Sequence, residues 1–167
     1  YRGNRINSLI ESKNKFNIDE MIDLQVDYYS IPSEQIIKLA SGNISNNLNY
    51  FEKLKNWNNI LDKNSIAAGI YIEWQTQIYL EFVNKFVPKS VRKYLDVQMF
   101  RIIENISKMN NSYRAEFLEK TFDAAIVSLK ERYGEDSEKW IYGQDDYKHV
   151  KINHPLDDNY LKIKIID

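Results

Sequence analysis

The sequence predicts a mainly α fold, an array of about five to six helices followed by a short carboxyl-terminal β-hairpin or strand pair. Three observations carry this. Five glycines and three prolines in 167 residues leave little helix-breaking punctuation. Apolar residues recur at helical spacing through most of the chain, gathering side chains on one face at a time. Beyond Gly134 that period gives way to alternation, the mark of strands.

Each element has a local reason. Ile6, Leu9 and Ile10 put three apolar side chains on one face of a helix over Arg5 to Lys13. Asn17 or Asp19 caps a second helix running to Leu39, with acids in its first turn and Ile18, Met21, Ile22 and Gln25 on one side. Pro32 should kink or break it, since its ring clashes with the carbonyl four residues back, and Gly42 stops it. Ile44, Leu48, Phe51, Leu54 and Trp57 form the next stripe, which ends in the polar run 56–64. Ser65 then caps the clearest segment, in which Ile66, Ile70, Trp74, Ile78, Phe82 and Phe86 follow at i+4 spacing up to Pro88. Two more helices are expected over Lys89 to Met109 and Ser112 to Tyr133, the latter closed by Gly134. His149 to Ile152 and Leu161, Ile163 and Ile165 alternate with polar residues on either side of a turn-rich stretch, Pro155 to Asn159. The expected division is a helical domain over 1–134 and a strand and loop segment over 135–167 that belongs to it or docks on absent parts.

Length and charge bound the function. A chain of 167 residues is one domain's worth, long enough to bury about 70% of its unfolded surface. Twenty-three Lys and Arg against 24 Asp and Glu leave a net charge of -1, so no positive field exists to hold nucleic acid. The absence of cysteine excludes disulfides, thiolate metal sites and a cysteine nucleophile, and it leaves the compartment open. No run approaches the ~20 apolar residues of a membrane span, and the opening Tyr-Arg-Gly-Asn-Arg has no apolar signal core. A first residue other than Met, and an end without a cap, lead to the expectation of a piece of a longer polypeptide.

The residues alone offer little chemistry. His149 and His154 do not have metal-ligand spacing, and a structural or solvated role suits them better. Asp19, Glu20, Asp23 and Asp27 can place a carboxylate pair on one helix face, but a solvated helix start explains them more simply. No Gly-rich phosphate loop, zinc spacing or Gly-x-Ser-x-Gly elbow occurs, and the phenol of Tyr1 is no terminal nucleophile at neutral pH. From the residues, this is a helical domain without a self-contained active site.

Several stretches nevertheless occur in a familiar order. They are Tyr1-Arg2-Gly3-Asn4-Arg5-Ile6; Asp19 to Ser30 with Leu24-Gln25-Val26-Asp27-Tyr28-Tyr29-Ser30; Leu54 to Trp57; and Ser65-Ile66-Ala67-Ala68. Farther on come Leu129 to Gly134, Trp140-Ile141-Tyr142-Gly143, His149 and His154-Pro155-Leu156. In order and spacing this series resembles the penicillin amidase family, from residue 1 to about 156.

The resemblance implies an N-terminal nucleophile hydrolase. In such enzymes a precursor cuts itself into a small and a large chain and exposes a serine whose own amine acts as base, beside an asparagine-containing oxyanion hole. They cleave an acyl group from a small amine, as in penicillins or acyl-homoserine lactones. The serine, the asparagine and a calcium site lie ahead of the segment that this chain resembles, the helical portion of the large chain. Its implied partners are therefore the small chain and the catalytic core of the large chain, with a small acyl amide as substrate. No cofactor is expected in this chain; calcium belongs to the full-length member. Family members are often exported, which does not assign a compartment here. An uncovered apolar hairpin also predicts self-association of the isolated piece.

The resemblance places one functional residue in the chain. Arg2, four residues before Ile6, matches an arginine near the active-site asparagine and the leaving-group side of the substrate. A guanidinium there can hold a substrate carboxylate or orient the oxyanion donor, while the plain alternative is a frayed terminal side chain. Arg5 fits that register less well. Gln25, Asp27, Ser30, Trp57, Trp74, Trp140 and the His154-Pro155-Leu156 run read as scaffold. Two rival readings are a stand-alone helical binding domain and a complete small enzyme using Asp or His.

Overall fold

The stripe from Ile66 to Phe86 becomes the spine of the molecule. In a computed structural model, which describes residues 1–144, seven α-helices occur among the described residues. They are α1 (Arg2–Glu11), α2 (Ile18–Gln25), α3 (Ile31–Ala40), α4 (Leu48–Lys55), α5 (Ile66–Phe86), α6 (Met99–Lys108) and α7 (Asn111–Tyr133). Short 3-10 turns lie at Arg92–Tyr94 and Ser137–Lys139.

The two longest helices pack along each other, and the other buried faces close around that pair. Ser65 Oγ accepts the Ala68 N–H at 3.1 Å to start α5, and Asn110 Oδ1 accepts the Tyr113 N–H at 2.8 Å to start α7. Between them Trp74 is fully buried, edge-on to Phe51 and Phe122, and its indole N–H donates to Thr121 Oγ1 at 3.1 Å. A buried indole thus contributes its apolar body without leaving a donor unpaired. Ile36 and Ala40 from α3, Leu54 from α4 and Ile102 and Ile106 from α6 complete the core.

After α7 the chain turns back over this core. Gly134 adopts φ +82°, in the left-handed region that glycine tolerates, and Trp140 is fully buried with its indole N–H on the Gly134 carbonyl at 2.9 Å. The return is so close that a Cβ on Gly69 would stand 1.9 Å from the Trp140 carbonyl oxygen. Residues 135–144 are therefore packed onto α4 and α5, with Tyr142 N–H bonded to the Ser65 carbonyl at 3.1 Å.

The elements differ from the sequence reading in three places, the first being α1, which runs over Arg2–Glu11 rather than Arg5 to Lys13. The helix expected over 17–39 is two helices, because Pro32 is not an interior kink. It occupies the second position of α3, where its missing N–H is not needed, and Ser30 provides the cap. The helix expected over 89–109 begins ten residues late, at Met99; Leu95 is half exposed, and burial starts at Ile102. The count among the described residues is accordingly seven rather than about five to six. The predicted hairpin, with His149 and His154, lies outside the described residues. Among those described, no helix is long and apolar enough to cross a membrane.

Candidate functional site

The amino-terminal turn of α1 meets the body of the fold at a short extended segment, residues 26–30. Two features of the sequence make that segment. Asp27 Oδ1 accepts the Tyr29 N–H at 3.1 Å, an Asx turn that ends α2, and the following residues pair with the 59–61 stretch. Ser30 N–H donates to the Asn59 carbonyl at 2.8 Å and Leu61 N–H to the Tyr28 carbonyl at 3.0 Å, around a bridge between Tyr29 and Ile60. Asn59 takes φ +60°, which its short amide side chain tolerates, and its Oδ1 accepts the Ser33 hydroxyl at 2.7 Å.

Arg5 reaches from α1 onto this platform. Its Nε donates to Asp27 Oδ2 at 2.6 Å, and its guanidinium carbon stands 4.3 Å from the centre of the Tyr29 ring. The side chains are about two-thirds and four-fifths covered, at 30% and 19% exposure, so the pair is partly desolvated. Burial pushes the Asp27 carboxyl upward, but the bonds from Arg5 and the Tyr29 amide, with the Arg5 charge, outweigh it and hold the group below the usual carboxylate range. The Tyr29 hydroxyl donates to Glu34 Oε2 at 2.9 Å, and burial together with that carboxylate raises its pKa. One aromatic ring is thus fixed by its amide, its hydroxyl and the cation above it.

Hollows lie on both sides of Arg5. A cavity of about 450 Å³ between α1 and α2 is walled by Leu9, Phe16, Leu24, Tyr28 and Ile60. A smaller one of about 260 Å³ lies against Tyr1, Ile6, Pro32 and Leu61. Tyr1 also borders a third, of about 750 Å³, where its ring stands edge-on to Phe100 and its hydroxyl donates to Gln35 Oε1 at 2.9 Å.

The structure disperses the other candidates. Glu20 forms a capping box with Asn17 and pairs with Lys13 at 2.6 Å, Asp19 and Asp23 are exposed, and Asp27 belongs to Arg5. No carboxylate couple for acid and base work results. Gln25 is exposed at the end of α2, and Ser30 is buried as the cap of α3. Trp57 tilts against Tyr71 at 5.7 Å and, like Trp74 and Trp140, packs on the core. Arg2 is the first residue of α1, and its side chain lies outside the described part. Among the described residues no three Asp, Glu, Cys or His side chains gather as a metal ion would require. The Arg5 to Asp27 tie, 22 residues apart, is not legible from spacing; complementary charge on α1 and on the segment after α2 is the one available signal.

The tie joins the Arg2-to-Ile6 and Asp19-to-Ser30 stretches on whose order the resemblance rests. The family model of penicillin amidase matches residues 1–166, essentially the whole chain. The chain belongs to the penicillin amidase family. No curated protein matches it. Membership in the penicillin amidase family makes it a hydrolase-family chain, and Arg5, Asp27 and Tyr29 lie inside the matched region.

Proposed function

We propose that this chain is the helical portion of a penicillin-acylase-like amide hydrolase, and that a serine supplied by another segment of the same precursor performs the bond cleavage. The match to penicillin amidase over residues 1–166 carries this reading. The reaction transfers an acyl group from a small amine to water: the serine hydroxyl attacks the amide carbonyl, its own terminal amine takes the proton and passes it to the departing amine, and water then splits the acyl–serine ester. The helices contribute placement, since no acid and base couple converges among the described residues. Arg2 is the residue assigned to substrate, holding a carboxylate on the leaving amine through paired N–H donors.

The test is amine release from phenylacetyl and long-acyl amides. The full protein carrying this chain turns over at least one of them, Arg2→Ala lowers its kcat/KM by about tenfold or more, as expected for a lost charged contact, and the 167-residue chain alone releases nothing. Turnover by the chain alone overturns the proposal. A full protein that cleaves no amide points instead to a helical binding domain.

A further inference from the structure

We propose that Arg5 is a positioning residue, whose grip on Asp27 and Tyr29 fixes the first turn of α1 and with it the backbone of Arg2. The relevance of this grip to catalysis rests on the reading of Arg2 above.

The reason is that α1 has little else to hold it. Of its described side chains Arg5 and Leu9 alone are partly covered, while Ile6 and Ile10 are exposed at 38% and 48%. Its amino-terminal cap, Tyr1, makes no side-chain capping bond, and no acid in the first turn or base in the last complements the helix dipole. A ten-residue helix with those deficits is marginal in water. Two side chains tie its first turn to the body: Tyr1, through Gln35 and Phe100, and Arg5, through Asp27 and the Tyr29 ring.

Arg5 is the better anchor because its target is itself fixed. Asp27 is held by the Tyr29 amide, and Tyr29 by Glu34 and by the bridge to Ile60, so the guanidinium closes onto a platform that is already braced. A planar guanidinium can donate along its edge while stacking by its face, and an ammonium cannot do both. Arg2 precedes Arg5 by three residues, one turn of the same helix, or about 4.5 Å along its axis. Whatever fixes Arg5 therefore fixes the origin from which Arg2 projects.

The experiment is amide hydrogen exchange, read peptide by peptide, on the full protein carrying this chain, with α5 and α7 as the internal reference. In Arg5→Gln and Arg5→Lys, exchange over residues 2–11 is expected to accelerate by about tenfold or more while the two long helices keep their protection. Asp27→Asn, which keeps an acceptor for the Tyr29 N–H and removes the charge, is expected to accelerate exchange in α1 likewise. Unchanged exchange in α1 overturns the proposal, and so does an equal loss of protection in α5 and α7, which would make Arg5 a support of the whole fold. The same variants, assayed on a phenylacetyl amide of a carboxylate-bearing amine and on its analogue lacking the carboxylate, are expected to raise KM for the first more than for the second. Accelerated exchange in α1 without that difference supports the positioning role and sinks the reading of Arg2, so the two failures are separate.

Discussion

Glu73 is the one fully buried carboxylate among the described residues, at 4% exposure in the middle of α5. Its two oxygens are both used: Oε2 accepts from Arg132 Nη1 at 2.8 Å across the α5 and α7 interface, and Oε1 accepts from Gln77 Nε2 at 2.9 Å one turn along. Only the carboxylate end of this pair is buried, the Glu73 and Arg132 side chains being 5% and 34% exposed. The costly change is thus to remove the arginine and leave the carboxylate without its cation, at about 1–3 kcal/mol, whereas an exposed pair is worth about 0–1 kcal/mol. Arg132→Ala is therefore expected to lower the urea midpoint clearly, and Lys108→Ala, which breaks the exposed contact to Glu104, to leave it almost unchanged. Similar midpoints for the two variants would refute this account. The same contrast explains why Arg5 is poorly suited to hold a substrate anion. Its charge is already engaged by Asp27, so a competing carboxylate would have to displace an ion pair at 2.6 Å.

At the level of the element, the return of the chain over α5 imposes a requirement on Gly69. The helix is built from residues with a strong apolar stripe, but the approach of the Trp140 carbonyl leaves no room for even one methyl group. The obstructing atom is backbone and cannot rotate away. Gly69→Ala is expected to cost about 1–3 kcal/mol, because the 135–144 segment must lift off α5. Gly3, also in a helix, has open space where a methyl group would stand, with nothing within 4 Å, so Gly3→Ala should instead stabilise by about 0.5–1 kcal/mol through helix propensity. Thermal unfolding of the two variants checks the opposite signs. Two stabilised variants, or two unaffected ones, would remove the tight return from the explanation.

For the whole molecule, the ionisable groups predict an asymmetric pH dependence. The carboxyls of Asp27 and Glu119 are held below their ordinary range. At Glu119 the cause is hydrogen bonding, from the Ser45 hydroxyl and from the Ser45 and Asn46 amides of the loop that it secures. Glu20 is lowered likewise by Lys13 and then the Asn17 amide, and Glu104 by Lys108 and then Arg101. A carboxyl whose folded pKa is depressed binds a proton more readily when unfolded, so its stabilisation is present above the unfolded value and is lost as pH falls through the folded one. Stability should accordingly be flat near neutrality and decline below about pH 5, where unfolded carboxylates begin to protonate. Lys85 and Lys130 are raised, by Tyr113 and by Glu135 respectively, and their contribution is lost as pH rises through their folded values, above the ordinary lysine range. Urea titrations across pH test this; an acid limb without decline would contradict it.

How much of this is legible in the sequence follows from where each cause resides. The limits of α5 and α7 are readable almost to the residue, because Ser65, Pro88 and Gly134 act on the backbone beside them. Family membership is readable too, since it is carried by the order of residues along the chain. The split at Pro32 is not, because a proline ring fits an interior break and a helix start equally well until the Ser30 cap is seen. The grip of Arg5 on Asp27, the exclusion of a methyl at Gly69 and the pairing of Glu73 with Arg132 lie beyond such reading, for one reason. They arise between atoms that are distant in sequence and brought within a few ångströms only when the helices pack. Local chemistry therefore determined the elements and the lineage, and tertiary packing alone decided which charges meet and where the first turn of α1 is held.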